Sequence, residues 1–236
     1  MSKESNKKEL EFEILSEFKS RFSGFPPGEI IWGEQPDFII ESAQSRIGIE
    51  ITEINTPDEA NQTNLRQQES IAEQIIQLAS DCYQELDKGQ FSVTVVFSLE
   101  KPLAEKKKDK IAAFICEFAK CNKLFHETHN GLIPEIHRIS IWRDPSPAIQ
   151  KWTALYSGWI GKLNCEILTK VIEKKEMKIK TYEKLVLHNW LLIVANGKKL
   201  SGSFNYDDMK SNCDFNSNFS KVFLYNRFQG QVFELK

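Results

Sequence analysis

Gln35-Pro-Asp-Phe-Ile-Ile-Glu-Ser42, a short Ala43-Gln-Ser45 break, and Arg46-Ile-Gly-Ile-Glu-Ile-Thr-Glu-Ile-Asn55 form the stretch on which the fold turns. Phe38 to Ile40 and Ile47 to Ile51 are rich in β-branched and aromatic residues, which suit a pleated surface. The small polar residues between them suit a tight turn. Folded back on itself around Ala43 and Gln44, the segment is an antiparallel hairpin that sets Asp37 opposite Glu50 or within one residue of it. Facing residues of such a pair share a face, with Cβ atoms roughly 5 Å apart. Two carboxylates that close repel by roughly 1 kcal/mol or more. A shared proton or a divalent cation relieves the repulsion. Thr52, two residues beyond Glu50, points to the same side.

Pro36-Asp37-Phe38 on one strand and Gly48-Ile-Glu-Ile-Thr52 on the next resemble the PD-(D/E)XK nuclease superfamily. The family pattern is Pro-Asp, a gap, then Asp or Glu, any residue, and Lys. The resemblance implies that Asp37 and Glu50 are metal-binding acids for Mg²⁺ or Mn²⁺, and that residue 52 stands at the catalytic lysine position. Thr52 departs from the pattern, because a hydroxyl supplies no positive charge. A first helix often carries a further acid into the metal site of these nucleases, a part that Glu13 or Glu17 would fill. The implied activity is metal-dependent hydrolysis of nucleic acid, with catalytic positions Asp37, Glu50 and Thr52. The alternative is a nuclease-like fold that has lost catalysis and serves as a binding module. In a third reading the acids are structural: Asp37 starts a strand, and Glu50 and Glu53 face solvent.

The 236 residues suit a single domain, with a nuclease-like core over about 7–100 and elaborations over about 101–236. Hydrophobic content of 41% and charged content of 27% are those of an ordinary globular chain. A net charge of −2 leaves nucleic-acid binding to local lysine-rich faces. Cys82, Cys116, Cys121, Cys165 and Cys213 are widely spread without a Cys-x-x-Cys pair, which reads as reduced thiols in a cytoplasm. The N-terminus lacks the apolar run of a signal peptide, and no apolar run is long enough to span a bilayer. A membrane partner is therefore not expected.

Outward from the hairpin, Leu10, Ile14, Phe18 and Phe22 make an apolar stripe for a helix over 7–22, beside an acidic stripe of Glu9, Glu13 and Glu17. A helix over 66–87 and a strand over 90–99 follow. Strand, helix, strand is the topology of a crossover, which predicts that Val93 to Phe97 lies parallel to the strand at Ile49. A second helix is expected over 102–123, opening on the basic run 105–110 (a solvated face before a phosphate contact). His126, His129 and His137 fall in a loop-like stretch without metalloprotease spacing. A strand over 136–142 comes next. A helix over 165–184 has Leu168, Val171, Ile172, Ile179 and Tyr182 inward and a basic stripe of Lys170, Lys174 and Lys178. Should a migrated cation replace the missing lysine, Lys174 and Lys178 are the candidates. A strand over 187–195 and a hairpin over 221–235 close the chain. The fold class is α/β (α+β): a central mixed sheet flanked by helices, of restriction-endonuclease-like type.

Overall fold

A computed structural model describes residues 3–56, 64–84, 91–121, 127–143, 151–158, 160–179, 182, 186, 188–206 and 213–236. The fold is mixed α and β, with four α-helices among the described residues. It divides into two compact units, Met1–Pro57 with Ile160–Lys236, and Asp58–Trp159.

The first unit is built on a six-stranded sheet. Its strands are β1 (Glu29–Trp32), β2 (Phe38–Glu41), β3 (Arg46–Glu53), β9 (His188–Ala195), β11 (Lys221–Asn226) and β12 (Gln231–Glu234), in the spatial order β1-β2-β3-β9-β11-β12. β2 and β3 pair antiparallel as the turn signal requires, with Phe38 opposite Ile49 and Ile40 opposite Ile47. Ser42 closes the turn, its hydroxyl accepting from the Ser45 N–H at 3.1 Å. The parallel neighbour of β3 is β9, with Glu50 opposite Leu191 and Thr52 opposite Ile193. The expected parallel partner, Val93 to Phe97, belongs instead to the sheet of the second unit. The chain leaves the sheet after β3, completes another unit, and returns more than a hundred residues later. Hydrophobic runs show that a strand is buried, not which sheet takes it.

Alternation decides which face each hairpin residue meets. Phe38, Ile40, Ile47, Ile49 and Ile51 share one buried cluster with Ile14, Leu15 and Phe18 of α1 (Lys3–Arg21). Leu191 and Ile193 share another with Leu168 and Ile172 of α4 (Cys165–Ile179). The sheet is thus sandwiched between α1 and α4. Each fully buried large side chain contributes about 2 kcal/mol of apolar burial. α4 stops at Ile179; of the expected continuation to residue 184, only Tyr182 lies within the described residues, and it is not helical. β8 (Gly161–Lys162) and β10 (Phe204–Asn205) form a small parallel pair that no hydrophobic run announced.

The second unit holds β4 (Phe91–Ser98), β5 (Glu127–Ile133), β6 (Ile136–Arg143) and β7 (Trp152–Ser157) in the order β5-β6-β4-β7. Val93, Val95, Phe97, Ile139 and Ile141 pack with Ile71 and Ile75 of α2 (Leu65–Gln84) and Ile111 and Ile115 of α3 (Lys108–Cys121). The stretch around His129 is strand rather than loop, because Thr128 and His129 pair with Ser140 and Ile139. His126 lies outside the described residues. The basic run opens α3 through a short 3₁₀ turn, Glu105–Lys107. Lys107 and Lys108 already meet Glu135 and Glu105 at 2.6 Å each. Beside β1, the hairpin's sheet takes β9, β11 and β12 from the C-terminal third, beyond the core expected over about 7–100. The expectation of reduced thiols is also revised. Cys82 is joined to Cys116 and Cys165 to Cys213, which leaves Cys121 as the free, exposed cysteine. Each pair meets only through the fold, so chain spacing gave no sign of it. No helix among the described residues is long and apolar enough to cross a membrane.

Candidate functional site

At the open end of the β2–β3 hairpin the chain gathers acids and amines in a setting that is otherwise apolar. Continuing the observed register one step beyond Phe38–Ile49 places Asp37 opposite Glu50. Asp37 and Glu50 are both nearly inaccessible, at 8% and 5% exposure. β3 runs on past the start of β2, and Asp37 caps the exposed ladder: its Oδ2 accepts the Ile51 N–H at 2.8 Å. The tight loop before it folds on Gly33, whose N–H donates to the Asp37 carbonyl at 3.0 Å. A Cβ at Gly33 would lie 2.4 Å from the Pro36 carbonyl oxygen. Gly48 is as constrained, since a Cβ there would meet Pro36 Cγ and Asn189 Oδ1 at 2.7 Å each. These two glycines let the Pro36-Asp37 segment lie against β3.

Burial pushes the Asp37 carboxyl up to about 6, and repulsion from Glu50 adds to it. The Ile51 N–H pulls the other way without cancelling the rise. Glu11 of α1 raises Asp37 further, and Lys8, at 3.8 Å from Asp37 Oδ1, lowers it. Glu11 is itself only 8% exposed and forms ion pairs with Lys7 at 3.2 Å and Lys8 at 3.8 Å.

The cation on Glu50 is Lys175. Its Nζ lies 2.7 Å from Glu50 Oε1 and donates a longer hydrogen bond to the Ile51 carbonyl at 3.4 Å. The ammonium therefore hangs over β3 one residue before Thr52. Thr52 is half-buried in register with Ile193, on the face of Glu50. Tyr182, only 6% exposed, lies near enough to feel both carboxylates. Its hydroxyl is buried and makes no hydrogen bond of good geometry, and burial holds the phenol protonated far above its ordinary range.

The remaining expected residues are placed elsewhere. Glu13 and Glu17 both bind Arg227, Glu17 Oε2 at 2.7 Å from its Nε, and Tyr225 also donates to Glu17. This clamp ties α1 to the end of β11 and uses up the acids expected to assist a metal. Glu11, not Glu13 or Glu17, is the helix acid that faces Asp37. Lys174 and Lys178 are exposed. Lys170 pairs with Glu166 on the helix surface.

The acids offer hard oxygen donors, the type that Mg²⁺ and Mn²⁺ prefer. Among the described residues no three His, Cys, Asp or Glu side chains gather closely enough to hold a metal by themselves. Two carboxylates, with water and a substrate phosphate supplying the rest, are a usual set for Mg²⁺. Asp37, pushed up to about 6 chiefly by burial, and Glu11, paired with Lys7 at 3.2 Å and Lys8 at 3.8 Å, stand beside the Glu50–Lys175 pair. Asp37 and Glu50 are donors of the kind that a hard divalent ion takes. No family model matches the chain, and no curated protein or solved structure matches it either.

Proposed function

We propose that the first unit is a metal-dependent phosphodiesterase acting on nucleic acid, built like the PD-(D/E)XK nucleases but with its lysine supplied by α4. One observation carries the reading: the Lys175 ammonium stands 2.7 Å from Glu50, beside the position that Thr52 leaves without charge. An amine on a second element thereby restores the acid–acid–cation set on which the resemblance turns.

In this reading Asp37 and Glu50 hold Mg²⁺ or Mn²⁺, whose charge would polarise the scissile phosphate and acidify a water. Glu50 and the Ile51 carbonyl fix the Lys175 ammonium from two sides. A fixed ammonium in a partly dry site stabilises negative charge developing on the phosphate without reorganising. Tyr182 remains a protonated donor throughout. Glu11 adds negative potential that favours a cation over a second protonated carboxyl.

Ion linkage tests the proposal. Mg²⁺ that binds the folded chain raises its melting temperature as RT ln(1 + [L]/Kd). The wild type should gain that increment, and Asp37→Asn and Glu50→Gln should each lose it while remaining folded. Equal increments in all three chains would remove the metal site.

A second reading, a nuclease-like binding module, draws on Thr52, which leaves the usual lysine position without charge. It predicts nucleic-acid binding without cleavage.

A further inference from the structure

Beside the acids, α1 and β1 bring together aromatic rings that the core does not take up. Phe12 and Trp32 are 37% and 48% exposed, and their rings stack on each other with centroids 5.2 Å apart and planes 22° from parallel. Both rings also touch Phe38, at 6.2 and 5.6 Å. Phe38 is the chain neighbour of Asp37. Lys8 lies one turn before Phe12 on the same side of α1. Its ammonium is bound to the Gly33 carbonyl at 2.6 Å, sits 6.0 Å from the Phe38 ring centroid, and stands 3.8 Å from Asp37. Trp32 immediately precedes Gly33, so one cation connects the aromatic pair to the acid.

We propose that Trp32 and Phe12 form a base-stacking subsite for single-stranded nucleic acid, next to the Asp37–Glu50 site and within the nucleic-acid reading given above. Three features commit the surface to that occupant. Flat, exposed, mutually supported rings match the face of an unpaired base, whereas a paired base keeps its faces inside the duplex. The neighbouring Lys8 supplies a charge for the phosphate joined to such a base. The platform adjoins Asp37 through Lys8, whose ammonium is held by the Gly33 carbonyl at 2.6 Å and stands 3.8 Å from the carboxylate, so a strand whose phosphate lies at that ammonium can lay the joined base on Trp32. Trp32 ends β1, the edge strand of the sheet, and nearly half of its surface is exposed.

The test is binding of a fluorescent twenty-nucleotide oligo-dT by the wild-type chain, with Ca²⁺ in place of Mg²⁺ to hold back cleavage. Trp32→Ala should weaken binding by on the order of tenfold, the amount one base–aromatic stack provides. Trp32→Phe should keep most of the affinity, and the melting temperatures of both variants confirm that they fold. Duplex DNA of equal length should bind the wild type more weakly and be indifferent to Trp32→Ala. Unchanged oligo-dT affinity in Trp32→Ala, or no oligo-dT binding by the wild type, overturns the proposal. So does a wild-type dimer that Trp32→Ala dissolves without changing oligo-dT affinity, since the rings then meet a second copy. Cleavage in Mg²⁺ separates this subsite from the catalytic reading. Trp32-dependent binding without cleavage keeps the subsite and removes the nuclease; cleavage without Trp32 dependence does the reverse.

Discussion

Lys175 Nζ stands 2.7 Å from Glu50 Oε1, with side-chain exposures of 16% and 6%. A charge pair this deep is costly to break from one side only, because the remaining charge is left in a poor solvent. Lys175→Met should cost on the order of 3 kcal/mol of folding stability, and adding Glu50→Gln should return much of it. Urea unfolding of the two single variants and the double variant measures that coupling. Additive losses would mean that the pair does not interact.

The same ammonium predicts how residue 52 behaves. With Lys175 in place, Thr52→Lys should change cleavage little, since the site already has its cation. In a Lys175→Met chain, cleavage should fall about a hundredfold. Thr52→Lys should then recover part of it, because residue 52 shares the face of Glu50. A large gain from Thr52→Lys in the otherwise wild-type chain would show that Lys175 does not serve the site.

Both residues missed by sequence reasoning carry one signal. On α4, Leu168, Ile172 and Lys175 fall at i, i+4 and i+7, so Lys175 continues the buried stripe. The regular spacing of Lys170, Lys174 and Lys178 drew attention to the solvent face instead. On α1 the buried residues are Glu11, Ile14, Leu15 and Phe18, whereas Leu10 is 39% exposed. Glu11 heads the inward stripe, while Glu13 and Glu17 are held by Arg227. A charged residue in register with an apolar stripe marks a site better than an orderly row of charges beside it. The hairpin, its register and the acid pair were legible because strand alternation and turn chemistry are local. The partner of β3 was not, because the chain leaves the sheet and returns to it after a whole second unit.

Asp37 makes stability depend on pH in a definite direction. Its carboxyl titrates near 3.8 in an exposed setting and is pushed up to about 6 by burial and Glu50. Between those values the unfolded chain releases the proton and the folded chain keeps it. Stability therefore falls as pH rises through that window, by on the order of 2–3 kcal/mol, and levels off above it. Asp37→Asn should flatten the fall, and Mg²⁺, which binds the carboxylate form, should offset it above pH 6. Urea midpoints from pH 3.5 to 7 measure the slope; an unchanged slope in Asp37→Asn would assign the titration to another group.

The acids of α1 separate in the same kind of experiment. Glu11→Gln should weaken the Mg²⁺-linked rise in melting temperature severalfold in apparent affinity. Glu13→Gln and Glu17→Gln should leave it intact and lower stability by about 1–2 kcal/mol through the Arg227 clamp. Loss of the Mg²⁺ increment in Glu13→Gln or Glu17→Gln, with Glu11→Gln unaffected, would move the metal away from Asp37.

Cleavage itself is the most direct measurement. Purified wild-type chain, incubated with labelled single-stranded DNA and RNA in Mg²⁺ and in Mn²⁺, should cut at least one of them. Asp37→Asn, Glu50→Gln and Lys175→Met should each reduce the rate by about a hundredfold or more while remaining folded. A folded wild type that binds Mg²⁺ but cuts neither substrate with either ion would contradict the account, as would variants that cut as fast as the wild type.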